Sequence, residues 1–185
     1  PMDFLAADLE ERLQLSRNSL GQYINCDGDD LVYFPNPTSA INAVVKSLKL
    51  GHEDEVLTTN HEYGAMDRTW RYYSKQTGYR YIQMEIPVPL NDEQDFIERI
   101  WSGVTNKTKV LFLSQITSQT ALIFPIHELC RRARELGILT IIDGAHVPGH
   151  IPLDIMELNP DIYTCACQKW MCSPIGASFL YVIKE

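Results

Sequence analysis

Apolar positions along the chain fall into short continuous runs separated by stretches of helical period. After an opening helix, MDFLAADLEERLQLSRNSLGQYI, LVYF reads as a strand and TSAINAVVKSLKLG as a helix stopping at Gly51. Val56 to Thr59 is a strand that breaks into a polar turn, and a helix follows from about Ala65 to Thr77. RYIQMEIP reads as a strand toward Pro87, and NDEQDFIERIWSGV as a helix with Asn91 as its cap and acids in its first turn. KVLFL and ILTIID are buried strands flanking the helix IHELCRRARELG, which Gly137 ends. Asp161 to Cys165 and Ala177 to Val182 are two further strands.

Strands alternating with helices predict an α/β fold: a mostly parallel central sheet with helices on both faces. Runs such as VLFL and ILTII lack polar alternation, as expected of strands covered on both sides. In such a sheet ligands bind beyond the carboxyl ends of the strands. The residues at those exits are polar here: Asn36-Pro37-Thr38-Ser39, His61-Glu62-Tyr63, Thr117-Ser118-Gln119, Asp143-Gly144-Ala145-His146 and Gln168-Lys169. A parallel sheet would gather them around one crevice.

Each group admits more than one use. Asp143, at the mouth of a buried strand, must be paired, and a metal, a phosphoryl group or a protonated heterocycle would each serve, as would a plain structural turn. Lys169 is either a solvated loop residue or an enclosed amine whose ammonium form is disfavoured, and so a nucleophile toward an aldehyde. An aspartate facing a pyridine nitrogen together with a Schiff-base lysine is the pair that pyridoxal 5′-phosphate (PLP) chemistry needs. Thr38 and Ser39 open a helix, where backbone N–H groups and hydroxyls suit a phosphate, or else they simply cap it. Tyr63 could stack on a ring. His146, with Ser118 and Gln119 on the neighbouring strand exit, could approach a phenolic oxygen.

Composition narrows the field. The chain has 185 residues, 45% hydrophobic and 22% charged, enough for one sizeable core. A net charge of −8 without a lysine/arginine cluster speaks against nucleic acid or an anionic membrane as partner. Arg131, Arg132 and Arg134 lie along one helix as a solvated face. No segment has the length and hydropathy of a membrane span, and no signal-peptide pattern opens the chain. Five cysteines, Cys26, Cys130, Cys165, Cys167 and Cys172, fit reduced thiols and a cytoplasmic location. C-A-C-x4-C lacks zinc-ribbon spacing, so no metal site is expected. The nucleotide-binding turns G-x-G-x-x-G and G-x-x-x-x-G-K-[ST] are absent, which disfavours a nucleotide-binding domain.

The segments N-P-T-S-A-I-N (Asn36 to Asn42), H-E-Y-G-A (His61 to Ala65), T-S-Q-T-A-L-I-F-P (Thr117 to Pro125), D-G-A-H-V-P-G (Asp143 to Gly149) and Q-K-W-M-C-S-P-I-G (Gln168 to Gly176) resemble, in order and spacing, class V aminotransferase-like, fold-type I PLP enzymes. The isopenicillin N epimerase-like branch, related to the cysteine desulfurases, is the nearest in pattern. The resemblance implies PLP as cofactor, a small amino-acid-like substrate and a homodimer. It implies that Lys169 forms the Schiff base and moves the proton at the α-carbon. Asp143 would pair with the pyridine nitrogen, Tyr63 would stack on the ring, and His146 with Ser118 would lie by the phenolic oxygen. Thr38, Ser39 and Gln168 would hold the phosphate.

Two residues depart from the family pattern: Gln168 stands where His is common, and Ala166 where a polar residue is usual. Family members are about twice this length, so the division expected is an N-terminal helical segment, 1–30, and a PLP-binding large domain, 31–185, with the C-terminal small domain absent. That small domain usually supplies the arginine for the substrate carboxylate; Arg68 and Arg71 are candidates here by location alone. The opening helix, with Phe4, Leu5, Leu9 and Leu13 at helical spacing, would serve core packing or a dimer contact. Cys167 and Cys172 read as small packing residues, so desulfurase or C–S lyase chemistry is the alternative to epimerase-like proton transfer. An inactive PLP-fold binding module is the non-enzymatic one.

Overall fold

The computed structural model describes residues 4–90 and 92–184. A π-helical turn (Phe4–Asp8) leads into α1 (Leu9–Ile24), and a short 3-10 turn (Gly28–Asp30) leads into β1 (Leu31–Phe34). Then come α2 (Pro37–Ser47), β2 (Glu55–Thr59), α3 (Gly64–Thr77), β3 (Arg80–Met84), α4 (Glu93–Ser102) and β4 (Thr108–Ser114). The chain continues through α5 (Ile126–Glu135), β5 (Leu139–Asp143), α6 (Ile155–Leu158), β6 (Ile162–Ala166) and β7 (Ser178–Val182).

The strands form one seven-stranded sheet in the order β1-β7-β6-β5-β4-β2-β3. Pairs β2–β3, β2–β4, β4–β5 and β5–β6 are parallel, while β7 runs antiparallel to both β6 and β1. The expected α/β architecture is therefore present, with one reversed strand. Because β7 is reversed against both neighbours, β1 points the same way as β6, and its exit loop joins theirs at one edge.

Side chains alternate across the sheet and feed two cores. Val110, Phe112 and Ile141 pack with Ala40, Val44, Met66 and Trp70 of α2 and α3. Leu111, Leu113 and Ile142 pack on the other face with Ile24 of α1, Phe96 of α4, Leu129 of α5 and Ile155 of α6. Trp70 and Phe112 are fully buried, with ring centroids 5.4 Å apart. Double coverage is why the strand sequences are continuously apolar.

Local chemistry sets the helix boundaries. Asn36 caps α2, its Oδ1 accepting the N–H of Ser39 at 2.8 Å. This helix stops at Ser47 rather than Gly51, because Leu48 turns extended and Asp54 binds the Gly51 N–H. Asn91, expected to cap α4, lies outside the described residues; Asp92 holds the N-cap position and accepts the Gln94 N–H. Only Leu20, Gly21 and Ile24 of α1 are buried, whereas Phe4, Leu5 and Leu13 are exposed. The 3-10 turn and α6 are too short to leave a period in the sequence. Among the described residues no helix is long and apolar enough to cross a membrane.

Candidate active site

A cavity of about 170 Å³ opens at the carboxyl edge of the sheet. Its wall includes Thr38 after β1, Tyr63 after β2, Ser118 after β4, Asp143 and His146 at the end of β5, and Gln168 and Lys169 after β6. Seven of the eight residues singled out from the sequence are thus brought together. Ser39 is the exception: it does not line the cavity, and its N–H is taken by the cap at Asn36. Gln119 is likewise absent from the wall. Asn36, Pro37 and Ala145 line it with them, as their strand exits predict, whereas Met66, Ser114 and Ala166 line it without having been expected there.

Asp143 ends β5, 3% exposed, and one carboxylate oxygen accepts the Ala145 N–H at 2.9 Å. Among the described residues its other oxygen accepts no hydrogen bond. Burial raises its pKa, against the Ala145 N–H and the nearby Lys169 amine. The tight turn that presents this carboxylate requires Gly144, since a β-carbon there would fall 1.9 Å from the Tyr163 hydroxyl. Tyr163 itself is fixed by donating to Gln115 Oε1 at 2.8 Å.

Of the two readings of Lys169 neither holds alone: the residue is exposed overall, as a loop lysine would be, yet it lines the cavity. Only its amine end reaches the cavity, where Nζ lies 2.8 Å from His146 Nε2 and 6.0 Å from the centroid of the Tyr63 ring. Partial desolvation lowers its pKa, opposed by the charge of Asp143. His146 is half-buried, and desolvation followed by the charges of Lys169 and His150 lowers its pKa too. The Trp170 indole N–H donates to His146 Nδ1 at 3.2 Å.

Behind the wall stands Glu62, 5% exposed, accepting from Thr59 Oγ1 at 2.7 Å, Ser114 Oγ at 2.6 Å and Ser114 N at 2.9 Å. Burial pushes its carboxyl up to about 7 despite these bonds, and the Asp143 charge adds to the rise. Gln168 accepts from Ser178 Oγ of β7 at 3.2 Å.

The remaining candidates separate. Arg71 is committed to Asp67, with Nε 2.9 Å from one oxygen, and to Gln83. The Arg68 guanidinium lies over Gly64 at the start of α3. Cys167 is buried, but Cys172 is exposed, so the packing role expected of the latter does not hold. Among the described residues no group of three His, Cys, Asp or Glu side chains is placed to hold a metal ion.

The Aminotransferase class-V family profile matches residues 2–185. Isopenicillin N epimerase from Streptomyces clavuligerus is 34% identical over 182 residues, which cover 98% of this chain and 46% of that protein. A solved C-DES mutant with glycine covalently linked to its PLP cofactor superposes with a TM-score of 0.86 at 24% identity, covering 94% of this chain and 46% of that one. The cystine C–S lyase C-DES in complex with cysteine persulfide gives 0.85 at 26% identity, with the same coverage. The chain spans about half the length of the curated relatives it matches.

Proposed function

The chain belongs to the class-V aminotransferase family, and we propose that it is the cofactor-binding part of a PLP enzyme that moves a proton at the α-carbon of an amino acid. In this reading residues 31–185 form the large domain and 1–30 a helical segment before it. The observation that carries it is the shared cavity of Asp143 and Lys169. A buried carboxylate with an uncommitted oxygen fits a protonated pyridine nitrogen, and an amine of lowered pKa fits an aldehyde carbon.

Bound PLP supplies an aldehyde for a lysine and a ring that takes up charge from the substrate's α-carbon. Asp143 would hold the ring-nitrogen proton, and Tyr63 would cover one face of the ring. Thr38, at the start of α2, would meet the phosphate with its hydroxyl, and Gln168 would approach the same group. His146 would offer a hydrogen bond near the phenolic oxygen, with Ser118 beside it. The Lys169 amine would accept the α-proton from one side of the substrate, and inversion would require a proton to be returned on the opposite side.

Epimerase-like proton transfer is supported by the 34% identity to isopenicillin N epimerase. The second reading, C–S bond cleavage, is supported by the likeness to the cystine C–S lyase at 26% identity. Incubation with PLP, borohydride fixation and peptide mapping test the shared part: the adduct is expected on Lys169 and lost in Lys169→Ala. No adduct on the wild-type chain overturns the reading. Solvent deuterium entering the α-position of an amino acid, rather than sulfide release from cysteine or cystine, separates the two chemistries.

A further inference from the structure

Trp170 sits directly after the lysine, half exposed, yet it is held on three sides. His150 stacks on its indole with centroids 4.3 Å apart and an interplanar angle of 26°. His150 Nδ1 in turn lies 3.1 Å from the His146 carbonyl, which can only accept, so His150 carries its proton on Nδ1. Gly149, at φ +83°, lets the chain pass against the Trp170 backbone, where a β-carbon would come within 2.6 Å of the Trp170 carbonyl. The result of this clamp is the bond from the indole N–H to His146 Nδ1 at 3.2 Å.

An indole N–H is a donor only. With Nδ1 of His146 accepting, a neutral imidazole must carry its proton on Nε2. That nitrogen faces Lys169 Nζ at 2.8 Å. An ammonium has no lone pair to accept an N–H, whereas a free amine has one. The mutually satisfied arrangement is indole N–H to imidazole Nδ1, then imidazole Nε2–H to a free lysine amine.

We infer that Trp170 is a positioning residue that locks His146 in its Nε2–H tautomer and so turns an N–H toward the free-amine form of Lys169, the form that attacks a carbonyl. The groups facing His146 are Lys169 and Trp170 from the loop after β6 and His150 from its own loop, and Asp143 and Tyr63 line the same cavity. The indole N–H opposes protonation of His146, because an imidazolium would turn a second donor toward it. The geometry stands without the cofactor; its use in catalysis rests on the reading of Lys169 as the cofactor's anchor.

The test is ¹⁵N NMR of the full chain, labelled at histidine and free of PLP, with the His146 signals identified by their loss in His146→Gln. In the wild type the neutral form of His146 is expected to be protonated on Nε2 alone. Trp170→Phe keeps an aromatic ring for His150 but removes the donor. It is expected to mix the tautomers and raise the His146 pKa by roughly half a unit to one unit, the equivalent of one ordinary hydrogen bond. A wild-type His146 protonated on Nδ1, or a Trp170→Phe titration and tautomer identical to wild type, overturns the inference. Because both readouts are made without PLP, they separate this failure from failure of the cofactor assignment.

Discussion

Glu62 Oε2 accepts two hydrogen bonds from one residue, Ser114: its N–H at 2.9 Å and its hydroxyl at 2.6 Å. Ser114 is the strand partner of Asp143 and lines the cavity, so this carboxyl, also bonded to Thr59, braces the ends of β2 and β4 beside it. Burial, with a smaller contribution from the Asp143 charge, pushes the Glu62 carboxyl up to about 7. Between about pH 4.5 and 7 the unfolded chain has this group ionised while the folded chain keeps it protonated. The folded state then binds more protons, and stability falls as pH rises through that window. Glu62→Gln can keep the bonds from Ser114 and is expected to remove this fall, which amounts to on the order of 3 kcal/mol at most. Urea unfolding of both proteins from pH 4.5 to 8 checks it; parallel stability profiles would contradict the assignment.

The lowered pKa of Lys169 predicts that its reaction with PLP, trapped by borohydride, reaches half its maximal rate below the ordinary lysine value of about 10.4. The Asp143 carboxylate favours the ammonium, so Asp143→Asn should move that midpoint lower still. A midpoint that rises in the variant would show that the two groups do not interact in this sense.

Thr38 and Ser39 are expected to behave differently although they are neighbours. Thr38→Ala should weaken PLP binding several-fold, consistent with loss of about 1 kcal/mol of hydrogen bonding. Ser39→Ala should leave it near wild type, since Ser39 is off the cavity wall and its N–H is already used. Titration of PLP fluorescence quenching distinguishes them, and equal losses would place the phosphate elsewhere.

Gly144→Ala would drive a β-carbon into the Tyr163 ring and hydroxyl. We expect a loss of about 1–3 kcal/mol or more, seen as a lower urea midpoint. Gly51→Ala is the control: nothing lies within 4 Å of the added carbon, and its effect should be neutral or stabilising by less than about 1 kcal/mol. Comparable losses at both positions would mean that backbone freedom, rather than the Tyr163 contact, explains Gly144.

The proposed proton chemistry predicts that Asp143→Asn in a PLP-loaded protein slows α-proton exchange on the order of 100-fold, the usual scale for removing one preorganised electrostatic group. Circular dichroism should be unchanged, because Asn can still accept the Ala145 N–H. Exchange at the wild-type rate would remove Asp143 from the mechanism.

Strand–helix alternation and the polar residues at the strand exits were legible in the sequence because both are local. A doubly covered strand is continuously apolar, and the residue after it must turn away from the sheet. Thr38, Tyr63, Ser118, Asp143, His146, Gln168 and Lys169 could be named for that reason before any contact was known. What the sequence could not carry depends on contacts between distant segments and on side-chain direction. Nothing local says that β7 inserts between β1 and β6, reversed, and so brings the α2 start to the same edge as Lys169. Glu62 lies in the H-E-Y-G-A segment, but its meeting with Ser114 spans two strand exits. Trp170 likewise stood beside the lysine, yet its bond to His146 exists only because Gly149 lets two loops touch. Ser39 is separated from Thr38 by the step of about 100° between successive helix residues. The order of the chain set which groups could gather, and the packing of loops over the sheet edge decided which of them touch.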